Sequence, residues 1–194
     1  RRPEPDRAAS GDPARRSLVI DYIREDYGPF NLRNPLELAL FCRFVAQVGA
    51  VPARRPDVYA ELVESQLKHA LASLELDEAG VLSAVQRIAY VVTAEESMGL
   101  HLDRGRLEHE LRSAVVHPQQ AGELLDRLIE SKLMIRAGVR HNVPTYAFAH
   151  RRIQEFLATD FILVHRDEVD ISEVAWSPKW REIAVAVLQL GNEE

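Results

Sequence analysis

The chain has 194 residues, 46% hydrophobic and 28% charged, enough for one large domain or two small ones. Its 24 basic against 30 acidic side chains leave a formal charge of −6, which argues against a general nucleic-acid or anionic-membrane binder. Cys42 is the only cysteine, which excludes an intramolecular disulfide and a cysteine-based zinc cluster. No run approaches the roughly 18 apolar residues of a membrane span, so a soluble, cytoplasmic protein or fragment is expected.

Residues 1–16 carry three prolines and eight charged residues with no aliphatic side chain larger than alanine, which predicts a flexible arm. A linker helix over 17–27 follows, broken by Gly28-Pro29, so 1–33 reads as arm and linker. Asn34 is the expected cap of a helix with Pro35 in its first turn, running to about Val48 and ended by Gly49 and Pro52. Pro56-Asp57 starts an amphipathic helix whose stripe is Val58, Tyr59, Leu62, Val63, Leu67, Ala70, Leu71 and Leu74, completing a small helical domain over 34–76.

A second domain is expected over 77–149. Asp77 caps a helix carrying Val81, Leu82, Val85, Ile88, Ala89 and Val92, and Asp103 caps a shorter one with Leu107, Leu111 and Val115. After His117-Pro118 a third helix bears Ala121, Leu124, Leu125, Leu128 and Ile129. Leu133, Ile135 and Ala137, a turn near Gly138, and Val143, Tyr146 and Phe148 predict a β-hairpin. Three helices followed by a two-stranded wing is the order of a winged helix. Ile153, Phe156, Leu157, Phe161 and Leu163 restore the helical period after the wing. Trp180, Ile183, Ala184, Val187 and Leu188 continue it, giving helices over 150–194 that are expected to lead into a further scaffold. A chain that opens in a linker and stops just after an amphipathic helix is expected to be part of something longer. The predicted fold class is mainly α, a helical lobe followed by a winged helix with one β-hairpin and C-terminal helices.

The helix before the wing, residues 119–131, would read the major groove, yet it sets Arg127 against Glu123, Asp126 and Glu130. Groove readers need the opposite sign. A winged helix used for packing is therefore favoured over a DNA-binding regulator, and no nucleic-acid or membrane partner is expected. None of the nine glycines precedes a lysine, so no phosphate loop is present, and neither GxGxxG, HExxH nor GxSxG occurs. No two histidines stand four apart. His101 and His109, eight apart, allow a shared face but are expected on solvated surface, as is the pair Glu95-Glu96. Neither a catalytic residue nor a metal site is predicted.

The most informative stretch is Phe148-Ala149-His150-Arg151-Arg152-Ile153-Gln154-Glu155-Phe156-Leu157-Ala158-Thr159. It resembles the F-x-H-x-[ST]-[FI]-Q-E-[FY]-[LF]-A-A pattern that closes the winged-helix domain of NACHT-type signalling NTPases, of the STAND class. Asn34-Pro35-Leu36-Glu37-Leu38-Ala39-Leu40 resembles the opening of their small helical domain, and Pro52-Ala53-Arg54-Arg55 a turn that follows it. Trp180-Arg181-Glu182-Ile183 with Leu188-Gln189-Leu190-Gly191 resembles the start of the scaffold beyond. The resemblance covers roughly 34–191.

It implies a regulatory segment of a nucleotide-dependent switch. Pro35 would pack near the adenine, His150 would contact the ADP β-phosphate and hold the closed state, and Arg151, with Arg152, would add positive potential beside the phosphate. ATP or ADP would be bound through a missing nucleotide-binding core, with none held by this chain alone, and the Walker residues for hydrolysis would lie there too. The implied partners are that core and a C-terminal sensor, with oligomerisation on activation. Arg152 stands where the pattern has Ser or Thr. From the residues alone, His150 reads equally as a cap or packed ring, Pro35 as a good first-turn residue and Gln154-Glu155 as capping or solvated. A helical protein-interaction adaptor is the third reading.

Overall fold

The computed structural model of the protein describes residues 14, 17, 19–21, 35–95, 101–115 and 117–190. Most of the expected linker helix over 17–27, and the cap at Asn34, lie outside them, although 17 and 19–21 are helical. The chain divides into two compact units, the first ending at Leu62 and the second running from Val63.

In the first unit, Pro35 opens helix α1 (Pro35–Val48), where its fixed φ suits the first turn and its missing N–H leaves no bond unmade. Phe41 and Val45 are fully buried on one face. Gly49 ends the helix in the left-handed region at φ 77°, with its N–H on the Val45 carbonyl at 2.9 Å. Helix α2 (Arg55–Leu71) starts one residue before the expected position, fastened by the Arg54 N–H on Asp57 Oδ2 at 2.9 Å. Its Arg55 lies 3.6 Å from Glu37, and Val58 and Leu62 are buried.

The second unit takes the end of α2, where Val63, Leu67 and Ala70 are buried and Gln66 Nε2 donates to the Lys132 carbonyl. Helix α3 (Glu78–Ala94) is capped as expected, with Asp77 Oδ2 accepting the Gly80 N–H at 2.8 Å. It buries Val81, Val85, Ile88, Ala89 and Val92. A two-residue strand β1 (Leu102–Asp103) precedes helix α4 (Arg104–Leu111), where Asp103 caps the Arg106 N–H at 2.9 Å. This helix stops at Leu111 in a short 3₁₀ turn, so Val115 lies beyond it. Helix α5 (Gln120–Glu130) buries Ala121, Leu124, Leu125 and Leu128, after which strands β2 (Met134–Arg140) and β3 (Val143–Phe148) form the wing. Helices α6 (Arg151–Val164), α7 (Ile171–Trp176) and α8 (Arg181–Leu190) complete the unit, the last two joined by a 3₁₀ turn at Pro178–Trp180.

The fold is mainly helical with a winged helix, and its small sheet differs from the expected hairpin in two ways. First, β1 pairs with β3 antiparallel, Leu102 opposite Tyr146, giving three strands in the order β1-β3-β2. Two residues carry no periodicity, so this strand is defined only by its partner. Second, the turn is not at Gly138. It lies at His141-Asn142, with φ 49° and 64°. Two consecutive positive φ values are what a tight hairpin turn of matching twist requires, and Asn tolerates them. Gly138 sits instead at the register irregularity beside Arg136, and it is Met134 that faces the core, which leaves its neighbour Ile135 on the exposed side.

Arg104 ties α4 to α5. Its Nε binds Glu108 at 2.6 Å, both terminal nitrogens bind Asp126 at 2.9 and 3.0 Å, and Nη2 also meets the Gly122 carbonyl at 3.2 Å. These bonds hold the guanidinium charged. Arg104→Ala is expected to lower the stability of the second unit by about 1–2 kcal/mol, discounted for its partial exposure. Urea unfolding measures it, and a loss below about 0.5 kcal/mol would show the cluster to be idle surface charge.

Candidate functional site at the start of helix α6

The wing delivers the chain directly to α6. Phe148 ends β3, the Ala149 N–H bonds to the Leu133 carbonyl at 3.0 Å, and His150 becomes the N-cap residue with extended backbone, φ −139° and ψ 132°. Its carbonyl accepts the N–H of Ile153 and Gln154 at 3.1 and 3.2 Å, which starts the helix. Its side chain makes no capping bond. The ring is half-buried and takes no partner among the described residues, so it is neither sealed in aliphatic packing nor spent on structure. The first N–H groups of α6 and its dipole add partial positive charge beside it.

Arg151 is exposed and its Nε binds Glu155 Oε1 at 2.9 Å. Arg152 donates Nη1 to Glu155 Oε2 at 2.8 Å and to Glu182 Oε2 at 2.9 Å, so α6 is fastened to α8 through one guanidinium. The hydrogen bond with Glu182 raises the Arg152 pKa and lowers that of Glu182. Arg152 therefore has a structural use here. Glu155, expected as a cap or solvated group, is the hub of the cluster.

Gln154 differs most from its expected role. It is neither a cap nor solvated, being 3% exposed, with Nε2 donating to Thr93 Oγ1 on α3 at 2.9 Å. Only the structure could show this, since the partner lies far away in the chain. Pro35 belongs to the first unit, exposed at the start of α1, while the α6 site is built from second-unit residues. His101 precedes β1 and His109 lies in α4, so they share no helix face. Among the described residues, no group of three or more His, Cys, Asp or Glu could hold a metal ion. No described helix is long and apolar enough to cross a membrane.

Comparison with protein-family models, with curated proteins and with solved structures gives no match to this chain. The site must therefore be read from its chemistry. An uncommitted imidazole beside unpaired helix N–H groups, with two arginines in the same turn, is suited to meeting anionic oxygen.

The groove-reading alternative fares poorly on charge. Asp126 is taken by Arg104 and Arg127 by Glu130, leaving Glu123 exposed on α5. The wing carries Arg136, Arg140 and His141, but the helix that would enter the groove stays acidic.

Proposed function

We propose that this chain is the regulatory helical and winged-helix part of a NACHT-like, nucleotide-dependent switch that acts in cytoplasmic signalling or defence. The nucleotide would be held by a separate module bearing the phosphate loop, and its β-phosphate would be read by His150. The observation that carries this reading is the His150 ring, uncommitted at the junction of wing and helix, together with the sequence pattern around it.

An imidazole N–H donated to a phosphate oxygen makes a charge-assisted bond, strengthened by the start of α6. Arg151 needs only a side-chain rotation away from the exposed Glu155 pair to add a second donor. Pro35 would pack against the adenine. A nucleotide touching both modules favours the closed arrangement by its differential affinity for it, and exchange of ADP for ATP shifts the population toward opening and oligomerisation.

The test uses the longest natural protein containing this segment and its nucleotide-binding module. His150→Ala is expected to speed ADP release about ten-fold, as loss of one charge-assisted bond predicts, and to raise basal signalling. Unchanged ADP retention with unchanged basal signalling would sink the reading.

A further inference from the structure

A recess of about 320 Å³ lies between the root of the wing and the first turns of α6, close to the small-ligand end of pocket sizes. We propose that it binds a small anion with a flat apolar body and one hydrogen-bond donor, a ring carrying a carboxylate or a phosphate. This inference does not need the nucleotide reading: the recess shares Arg151 with it, but His150, which carries that reading, does not line the recess.

Its floor follows from sheet register. Ala147 on β3 pairs with Ile135 on β2, and since Leu102 faces Tyr146, His101 falls in line with Ala147 on the other side. Ile135 and Ala147 give a small apolar floor, with the exposed His101, just before β1, beside it and the Phe148 backbone closing one end. A planar ring laid on such a floor removes apolar surface from water on both partners.

The walls are cationic. Arg136 and Arg151 both line the recess, and no carboxylate does. Arg136 makes no ion pair among the described residues, and Arg151 uses only Nε, toward Glu155, leaving its two terminal nitrogens to donate. Guanidinium groups match the oxygen spacing of a carboxylate or phosphate.

The third feature is Gln154, whose orientation the structure fixes. Thr93 Oγ1 gives its single proton to the Ala89 carbonyl at 2.9 Å, so that oxygen can only accept from Gln154, which must turn its Nε2 toward Thr93. Its Oε1 is left without a partner among the described residues, on a side chain that lines the recess and is otherwise buried. That oxygen is not among the buried unpartnered atoms, so it is open to the recess, where it can accept a hydrogen bond from a ligand donor in place of water. Anionic head, flat body and donor are thus each specified by a different residue set.

The experiment titrates the isotopically labelled chain by NMR with meta-hydroxybenzoate, benzoate, phenyl phosphate and inorganic phosphate. Saturable shifts are expected at the Gln154 side-chain amide, the Ala147 backbone and Arg136 Nε, and whichever aromatic anion binds tighter identifies the head group. Inorganic phosphate should bind at least about five-fold more weakly than phenyl phosphate, and benzoate about three-fold more weakly than its hydroxylated analogue. Arg136→Gln should weaken binding about ten-fold, while Arg112→Gln, the same charge change at an exposed residue elsewhere, should leave it unaltered. Absence of a saturable shift at Gln154, equal loss in both variants, or equal binding of the bare phosphate would each overturn the proposal.

Discussion

Trp180→Ala is expected to cost the second unit about 3–5 kcal/mol, the largest effect of any substitution considered. Trp180 is 0% exposed and stacks on Tyr90 with centroids 5.3 Å apart, while Tyr90 stacks on Phe161 at 5.0 Å and Phe161 on His165 at 4.5 Å. One aromatic ladder therefore joins α3, α6 and the turn that leads into α8. Removing its end ring leaves a cavity that helices fixed by other contacts cannot collapse to fill. Trp180→Phe is the informative companion. It keeps a ring on Tyr90 and discards the indole N–H, which is buried with no partner, so it should cost less than half as much. Urea unfolding followed by circular dichroism reads both. A loss below about 1 kcal/mol for the alanine variant would mean that α8 is not held by this ladder.

Asp160→Asn should act in the opposite direction, stabilising the protein at neutral pH by about 1–3 kcal/mol. Burial of this carboxyl on α6 raises its pKa from 3.8 to about 6, against the smaller lowering effect of its hydrogen bond with Gln86 on α3. The folded state thus holds the proton more tightly than the unfolded chain. Its contribution is complete below about pH 4 and is lost as the pH rises through about 6, so the native protein should weaken across that interval. Asparagine has no charge to desolvate and can still bond Gln86. The pH dependence of the unfolding free energy between 4 and 7 checks this. A slope that survives in the Asn variant would place its origin in another group.

The helices and their caps were largely legible because their signals are local. Asp77 and Asp103 each cap a backbone N–H three residues on, and both helices begin as expected. Pro35 and Gly49 bound α1 for equally local reasons of φ. The hairpin was legible as a pair of strands but not in its register, since Gly138 drew the turn to itself and His141-Asn142 gave a weaker signal. Of the expected C-terminal stripe Trp180 and Ile183 are buried but Leu188 is 67% exposed, so periodicity named the right face while only packing decided how far along it is covered. Helix α7 was missed because its six residues bury only Val174 and leave Trp176 open.

What the sequence determined by itself is the mainly helical winged-helix order and the position of His150 at the seam of wing and helix, because caps, breakers and apolar spacing act within one or two turns. Only the tertiary structure decided that β1 exists, that Arg152 bridges to Glu182, and that Gln154 is anchored to a threonine 61 residues away. Each of those outcomes is a long-range pairing. Its energy depends on which group arrives opposite once the helices pack, and no short window of residues contains that information.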